Sequence, residues 1–263
     1  MKKVTTYLKM KKKLVNSLLA SMLILSGCTA SNKANAEEYS CRVINYYDYN
    51  ESAPKVDVVD ESYYDDVLFA GDSRMGSLAL YGTHTNAQVA YVTSLNLLLI
   101  DTMTVDESTN EAYSYEEGTT LMDVLSTTTK NNIYLLFGIN EIRNPNFTAF
   151  GEKLQEIVTM LKTNNPNVNI YLILAYHPDY ISDLPEPDLT THLEDLNSTI
   201  KTIAYNNKIY FLNLDDEMDE DGTIRDEYVS DGLHFTPTGA HAFEDYIASH
   251  VVRSESYVKE ICQ

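Results

Sequence analysis

The chain has 263 residues, 44% of them apolar and 22% charged, and its 39 Asp+Glu outweigh 19 Lys+Arg to give a formal net charge of −20. A surface so acidic repels phosphate backbones and anionic headgroups, which argues against a nucleic-acid binder and against a basic membrane-binding patch. The length suits one substantial core.

In chain order, Lys2, Lys3, Lys9, Lys11, Lys12 and Lys13 precede an apolar stretch, Leu14 to Leu25, that is too short to span a bilayer comfortably. This is the pattern of a secretory signal, and a start at Met10 would leave one of more usual length. The stretch ends in Leu25-Ser26-Gly27-Cys28, which resembles a bacterial lipobox. That resemblance implies a signal over residues 1–28, lipidation of Cys28, and a protein held outside the cytoplasm on the cell membrane by its lipid. An ordinary signal peptide or an uncleaved anchor helix is the alternative. Removing the segment takes six of the 19 Lys+Arg and none of the acids, so the remainder is more acidic still. Cys41 and Cys262 flank the rest and either pair, as an oxidising compartment allows, or stay two free thiols.

Residues 29–62 are polar, Tyr-rich and without sustained period, which predicts a tether. The domain is expected over 63–263. Within it, strand-length apolar runs recur at 67–70, 88–92, 133–137, 170–174 and 209–212. Helical spacing lies between them: after Ser73, over 119–129, over 147–164 with Phe150, Leu154, Ile157, Val158 and Leu161 on one face, over 189–205 and over 237–252. Nearly continuous apolar strands alternating with amphipathic helices predict an α/β fold, a three-layer α/β/α sandwich around a mainly parallel five-stranded sheet. The acidic, Thr/Ser-rich stretch from Ser94 to Glu117 reads as an excursion over the surface, at the rim of a site.

Ligands in such sheets sit beyond the carboxyl ends of the strands. There the sequence places Gly71-Asp72-Ser73, Thr93-Ser94-Leu95, Gly138-Ile139-Asn140-Glu141, Tyr176-His177 and Ser230-Asp231-Gly232-Leu233-His234. Singly, each has a plain explanation: Asp72 or Ser73 as a helix cap, Asn140 and Asp231-Gly232 as turn residues, His234 as a structural histidine. Together they supply what acyl transfer requires. Ser73 offers a hydroxyl, His234 a base for its proton, and Asp231 an acceptor that fixes the imidazole tautomer. The Ser73 N–H at a helix start and the Asn140 amide offer donors to an oxyanion.

The order Gly71-Asp72-Ser73, Gly138-x-Asn140, Asp231-x-x-His234 resembles the SGNH (GDSL-type) hydrolases from about Val67 to Val252. The resemblance implies a flavodoxin-like α/β/α fold and ester hydrolysis by a Ser73-His234-Asp231 triad without a cofactor, with Asn140 in the oxyanion hole. It also implies an ester substrate, and a surface location favours O-acetyl groups on carbohydrates. The family's second block carries a glycine, where Ser94 is the best match here; its third reads Gly-x-Asn-Asp, where Glu141 replaces the acid. The Gly-x-Ser-x-Gly elbow of α/β-hydrolases is absent.

Of the other residues at this edge, Arg74 reads as a solvated first-turn side chain, His177 as a pocket or turn residue and His241 as structural. The acidic run Asp215 to Asp221 fails the EF-hand spacing, because Tyr228 stands where a bidentate acid is needed, and reads as a solvated turn rather than a metal site. Two other functions fit less well. A non-catalytic surface lipoprotein binding a glycan or protein partner draws on the missing second-block glycine; a phosphate-cofactor binder lacks the lysine of a P-loop.

Overall fold

The computed structural model describes residues 41–106, 114–178 and 181–262. Cys28 and the lipobox lie outside the described residues. Among those described, no helix is long and apolar enough to cross a membrane.

Strand β1 (Cys41–Asn45) pairs with the last strand, β9 (Val258–Cys262), as a two-stranded sheet. Cys41 is disulfide-bonded, which excludes a free thiol there; the side chain of Cys262 lies outside the described residues.

The central sheet holds β2 (Val67–Gly71), β3 (Gln88–Tyr91), β4 (Asn132–Leu136), β5 (Asn169–Ile173) and β6 (Tyr210–Leu212), all parallel, in the order β3-β2-β4-β5-β6. The strand order reverses at β2, with β3 added on one side and β4 on the other, so the crevice at the carboxyl ends of these strands is the topological switch point where doubly wound sheets bind ligands. The α/β/α expectation holds.

Side chains alternate between the sheet's two faces, and each face is covered. Against one, Leu68, Ala70, Ile133, Leu135, Ile170, Leu172 and Phe211 pack under α2 (Leu121–Thr127), α3 (Phe147–Asn164) and α4 (Glu186–Asn207). In α3 the buried residues are the five that the spacing predicts: Phe150, Leu154, Ile157, Val158 and Leu161. Against the other face, α1 (Ser73–Tyr81) and α6 (Pro237–Ser249) bring Met75, Leu78, Ala240, Phe243 and Ile247 onto Val67, Phe69 and Leu136.

That second face carries an aromatic row set by strand register. Phe69, Tyr134, Tyr171 and Tyr210 are consecutive partners across β2, β4, β5 and β6. The Tyr134 and Tyr171 rings stack at 4.5 Å, and Tyr171 meets Tyr210 at 5.0 Å. Buried hydroxyls need partners, and these find them: Tyr63 and Tyr134 share a hydrogen bond of 2.7 Å, and the Val252 N–H donates to Tyr171 at 3.0 Å.

Three expectations need correction. The domain does not open at Tyr63: its compact unit runs from Val43 to Glu260. Tyr47 and Ala53 are buried, and the N–H groups of Ala53, Val56 and Val59 donate to the carbonyls of Phe211, Ser249 and Ala248. The stretch is held by main-chain bonds to other elements, a pattern with no side-chain period. The acidic run is likewise not one solvated turn. It forms a short helix, α5 (Asp215–Met218), with Met218 buried, followed by a hairpin of β7 (Asp219–Glu220) and β8 (Thr223–Ile224). The excursion after Ser94, finally, begins inside: Leu95, Leu97 and Ile100 belong to the core. Residues 107–113 of that excursion lie outside the described residues.

Candidate active site

Gly71 ends β2 with its carbonyl taking the Val92 N–H at 3.0 Å, and the Asp72 N–H donates to Leu136 at 3.1 Å. The ends of β3 and β4 are thereby fastened on either side of the segment bearing Ser73. The cap of α1 is Asp72, whose side chain accepts from the Arg74 N–H. Ser73 is the first helical residue, and its hydroxyl, free of capping, lies 2.8 Å from His234 Nε2.

His234 sits between β8 and α6 on a loop with short internal bonds. Its Nδ1 is 2.8 Å from Asp231 Oδ2, while Asp231 Oδ1 accepts from the main-chain N–H groups of Leu233 at 3.1 Å and His234 at 2.8 Å. Partial burial pushes the Asp231 carboxyl up, but hydrogen bonds from His234 and Leu233 outweigh it and hold the group below its ordinary range. Asp231 therefore stays an anion that accepts from the imidazole and steadies it when charged. The loop is tied down from three sides. The Ser230 N–H donates to the His234 carbonyl at 2.8 Å, and the hydroxyl of buried Tyr176, at the end of β5, donates to the Leu233 carbonyl. At Gly239 a β-carbon would come within 2.0 Å of the Tyr228 carbonyl, so only glycine lets α6 approach the chain leading into the loop.

The two oxyanion candidates flank the serine. Val92 to Leu95 closes a tight turn, with the Leu95 N–H donating to Val92 at 3.3 Å, and inside it Ser94 takes a left-handed backbone with φ 59. That region favours glycine, which accounts physically for the glycine expected in this block. Serine adopts the conformation and keeps the N–H. Asn140 donates one amide hydrogen to the Leu95 carbonyl at 2.9 Å and has a second to offer.

Beneath the serine lies a group that sequence reasoning misplaced. Arg74 is not solvated: both it and Asp72 are fully buried. Arg74 Nε and Nη2 grip the two Asp72 oxygens at 2.9 and 2.8 Å, and the guanidinium stands 5.4 Å over the Tyr176 ring. Glu141 is also buried and accepts from the Leu97 N–H at 2.5 Å. Its carboxyl is pushed up to about 7 by burial and by Asp72, against the opposing pull of the Leu97 N–H and Arg74. By residue type alone, an arginine in the first turn of a helix is expected in solvent. The sequence signal for its burial is a matching acid two residues back, Asp72, which serves equally well as a helix cap.

His177 and His241 bond to groups other than Ser73, Asp231 and His234. His177 Nε2 pairs with Glu186 at 3.0 Å and lines a cavity of about 700 Å³ with Thr190, Lys201 and Asp215. Asp215 there is pushed up to about 6 by burial and by Asp219 and Asp216. His241 Nε2 bonds the Tyr81 carbonyl at 3.0 Å, joining α6 to α1. Among the described residues no group of three or more His, Cys, Asp or Glu side chains is placed to hold a metal ion.

Solved structures share this architecture. A GDSL-like lipase from Bacteroides thetaiotaomicron is 14% identical, with a TM-score of 0.54 over 73% of this chain and 89% of that one. A protein assigned to the G-D-S-L family of lipolytic proteins, from Desulfitobacterium hafniense, is 13% identical, with a TM-score of 0.52 over 71% of this chain and 99% of that one. At such identities the likeness concerns the fold. No curated protein matches the chain. The sequence profile of the GDSL-like lipase/acylhydrolase family matches residues 69–242, which take in Ser73, Asn140, Asp231 and His234. The chain belongs to the GDSL-like lipase/acylhydrolase family of ester-hydrolysing proteins.

Proposed function

We propose that this protein is an extracytoplasmic serine esterase, held to the cell membrane through a lipid on Cys28, that removes acyl groups, O-acetyl on carbohydrates foremost, through an acyl-enzyme on Ser73. The observation that carries the reaction is the unbroken line from Ser73 Oγ to His234 Nε2 and from His234 Nδ1 to Asp231 Oδ2, each step 2.8 Å.

In the proposed cycle His234 takes the Ser73 proton as Oγ bonds to the ester carbonyl carbon, and the carbonyl π electrons move onto oxygen. The N–H groups of Ser73 and Ser94 and the free Asn140 N–H receive that oxyanion, while Asp231 steadies the imidazolium. The C–O bond to the alcohol then breaks, and His234 returns its proton to the departing oxygen. Water, deprotonated by His234, attacks the acyl-serine, and Ser73 regains its proton as the acid leaves. No cofactor enters these steps. An acetylated polymer is favoured as substrate by the openness of the base side, where the His234 and Asp231 side chains are 39% and 57% exposed. A large sugar can approach such a surface with only its acyl group reaching the serine.

The test is labelling by a fluorophosphonate and turnover of an acetyl-ester chromogen by the purified domain. Wild type is expected to do both, and Ser73→Ala to lose labelling entirely and turnover by on the order of 10⁴ to 10⁶. A well-folded wild type that neither labels nor turns over would sink the proposal and leave a surface binding protein.

A further inference from the structure

The loop after β4 reaches one target with two successive side chains. Asn140 Nδ2 donates to the Leu95 carbonyl at 2.9 Å, and Glu141 Oε1 accepts from the Leu97 N–H at 2.5 Å. Leu95 is the residue after Ser94 and Leu97 the third after it, so the segment that offers the Ser94 N–H is gripped at two points, once by its acceptor and once by its donor.

Packing gives no reason for a carboxylate here. Glu141 is 5% exposed, and its Oε2 has no hydrogen-bond partner among the described residues; neither has Arg74 Nη1. Burying such groups is costly, and an apolar side chain of similar length would fill the space more cheaply. What methylenes cannot do is hold an N–H. Ser94 needs holding, because its left-handed backbone, φ 59, is one that serine leaves readily unless its surroundings over-determine it.

We propose that Glu141 is a positioning residue for ester hydrolysis: through the Leu97 N–H it fixes the 94–97 loop, so that the Ser94 N–H stays aimed at the oxyanion. It touches neither substrate nor the reacting atoms. The inference rests on the esterase reading, and the oxyanion exists only in the transition state, so a loosened loop lowers kcat and leaves KM alone.

The experiment compares wild type, Glu141→Gln and Glu141→Met for kcat and KM on an acetyl-ester chromogen, and for amide hydrogen exchange over residues 92–99. Gln keeps an acceptor for Leu97 and is expected to hold kcat within about threefold with unchanged exchange. Met keeps length but no acceptor. It is expected to lose on the order of 10²-fold in kcat, with KM within about twofold and faster exchange at 95–97. If Met prevents folding, Glu141→Asp, which draws the carboxylate back by one methylene, carries the same test. A folded Met or Asp variant with wild-type kcat, or with its loss in KM alone, overturns the role of Glu141 while the esterase reading stands. A wild type without turnover overturns both.

Discussion

The two halves of the proposed catalytic line are built differently. The serine stands on fully buried ground, with Asp72 and Arg74 locked together beneath it and β3 and β4 bonded to either flank. The base stands on a loop whose Asp231 and His234 side chains are 57% and 39% exposed, held by a few hydrogen bonds and one buried tyrosine. The contrast separates two costs. Beneath the serine, position depends on a buried charge pair, so damage there falls on stability; at the base it depends on local bonds in water, so damage falls on chemistry.

Asp231→Asn sharpens that contrast most. It replaces the acceptor that fixes the His234 tautomer, and is expected to cost on the order of 10³ to 10⁴ in kcat. The melting temperature should stay within a few degrees, because the side chain is exposed and its hydrogen bonds to main chain can persist through the amide oxygen. A large loss of stability would show the base loop to be as structural as the serine side.

Arg74→Met tests the opposite half. It leaves the Asp72 carboxylate buried without its partner, a change expected to cost about 3–5 kcal/mol in denaturant unfolding. Wild-type stability in this variant would break the comparison.

Glu141 in the folded protein titrates at about 7, above its ordinary value of 4.5, so the native state binds this proton more tightly than the unfolded chain does. Its contribution to stability is full below about pH 4.5 and is lost as pH rises towards 7. Asp215, pushed up to about 6, acts in the same sense, so the measurement is the difference between wild type and Glu141→Gln. That difference in melting temperature should change between pH 5 and 7.5, whereas parallel curves would contradict it.

Much of this architecture was legible from residue order. The five strands and α3 follow from apolar periodicity, because in a covered parallel sheet burial is the whole requirement. The spacing of Ser73, Asn140, Asp231 and His234 is legible for another reason: strand ends bring distant loops to one edge, and their chemistry is written in residue type. Burial of charge was not legible. Glu141 is placed by the distant Leu97 N–H, and Arg74, though paired with the nearby Asp72, lies over the distant Tyr176 ring; a pattern of apolar residues carries no trace of such contacts. Residues 43–62 carry no side-chain period because main-chain bonds hold much of the segment, and any sequence can make those. Ser94 was visible as a departure from a motif, but only its backbone angle explains why a glycine would suit the place.

The aromatic row across the sheet has a use outside catalysis. The chain holds 20 tyrosines and no tryptophan, so tyrosine dominates its intrinsic emission and near-ultraviolet dichroism. Tyr134 and Tyr171 stack at 4.5 Å and Tyr171 and Tyr210 lie tilted at 5.0 Å, so these buried rings hold a fixed arrangement whose near-ultraviolet dichroism disappears when tertiary packing is lost. The protein thus carries its own optical gauge of the sheet, one that reads the integrity of the core while the loop bearing His234 is altered at will.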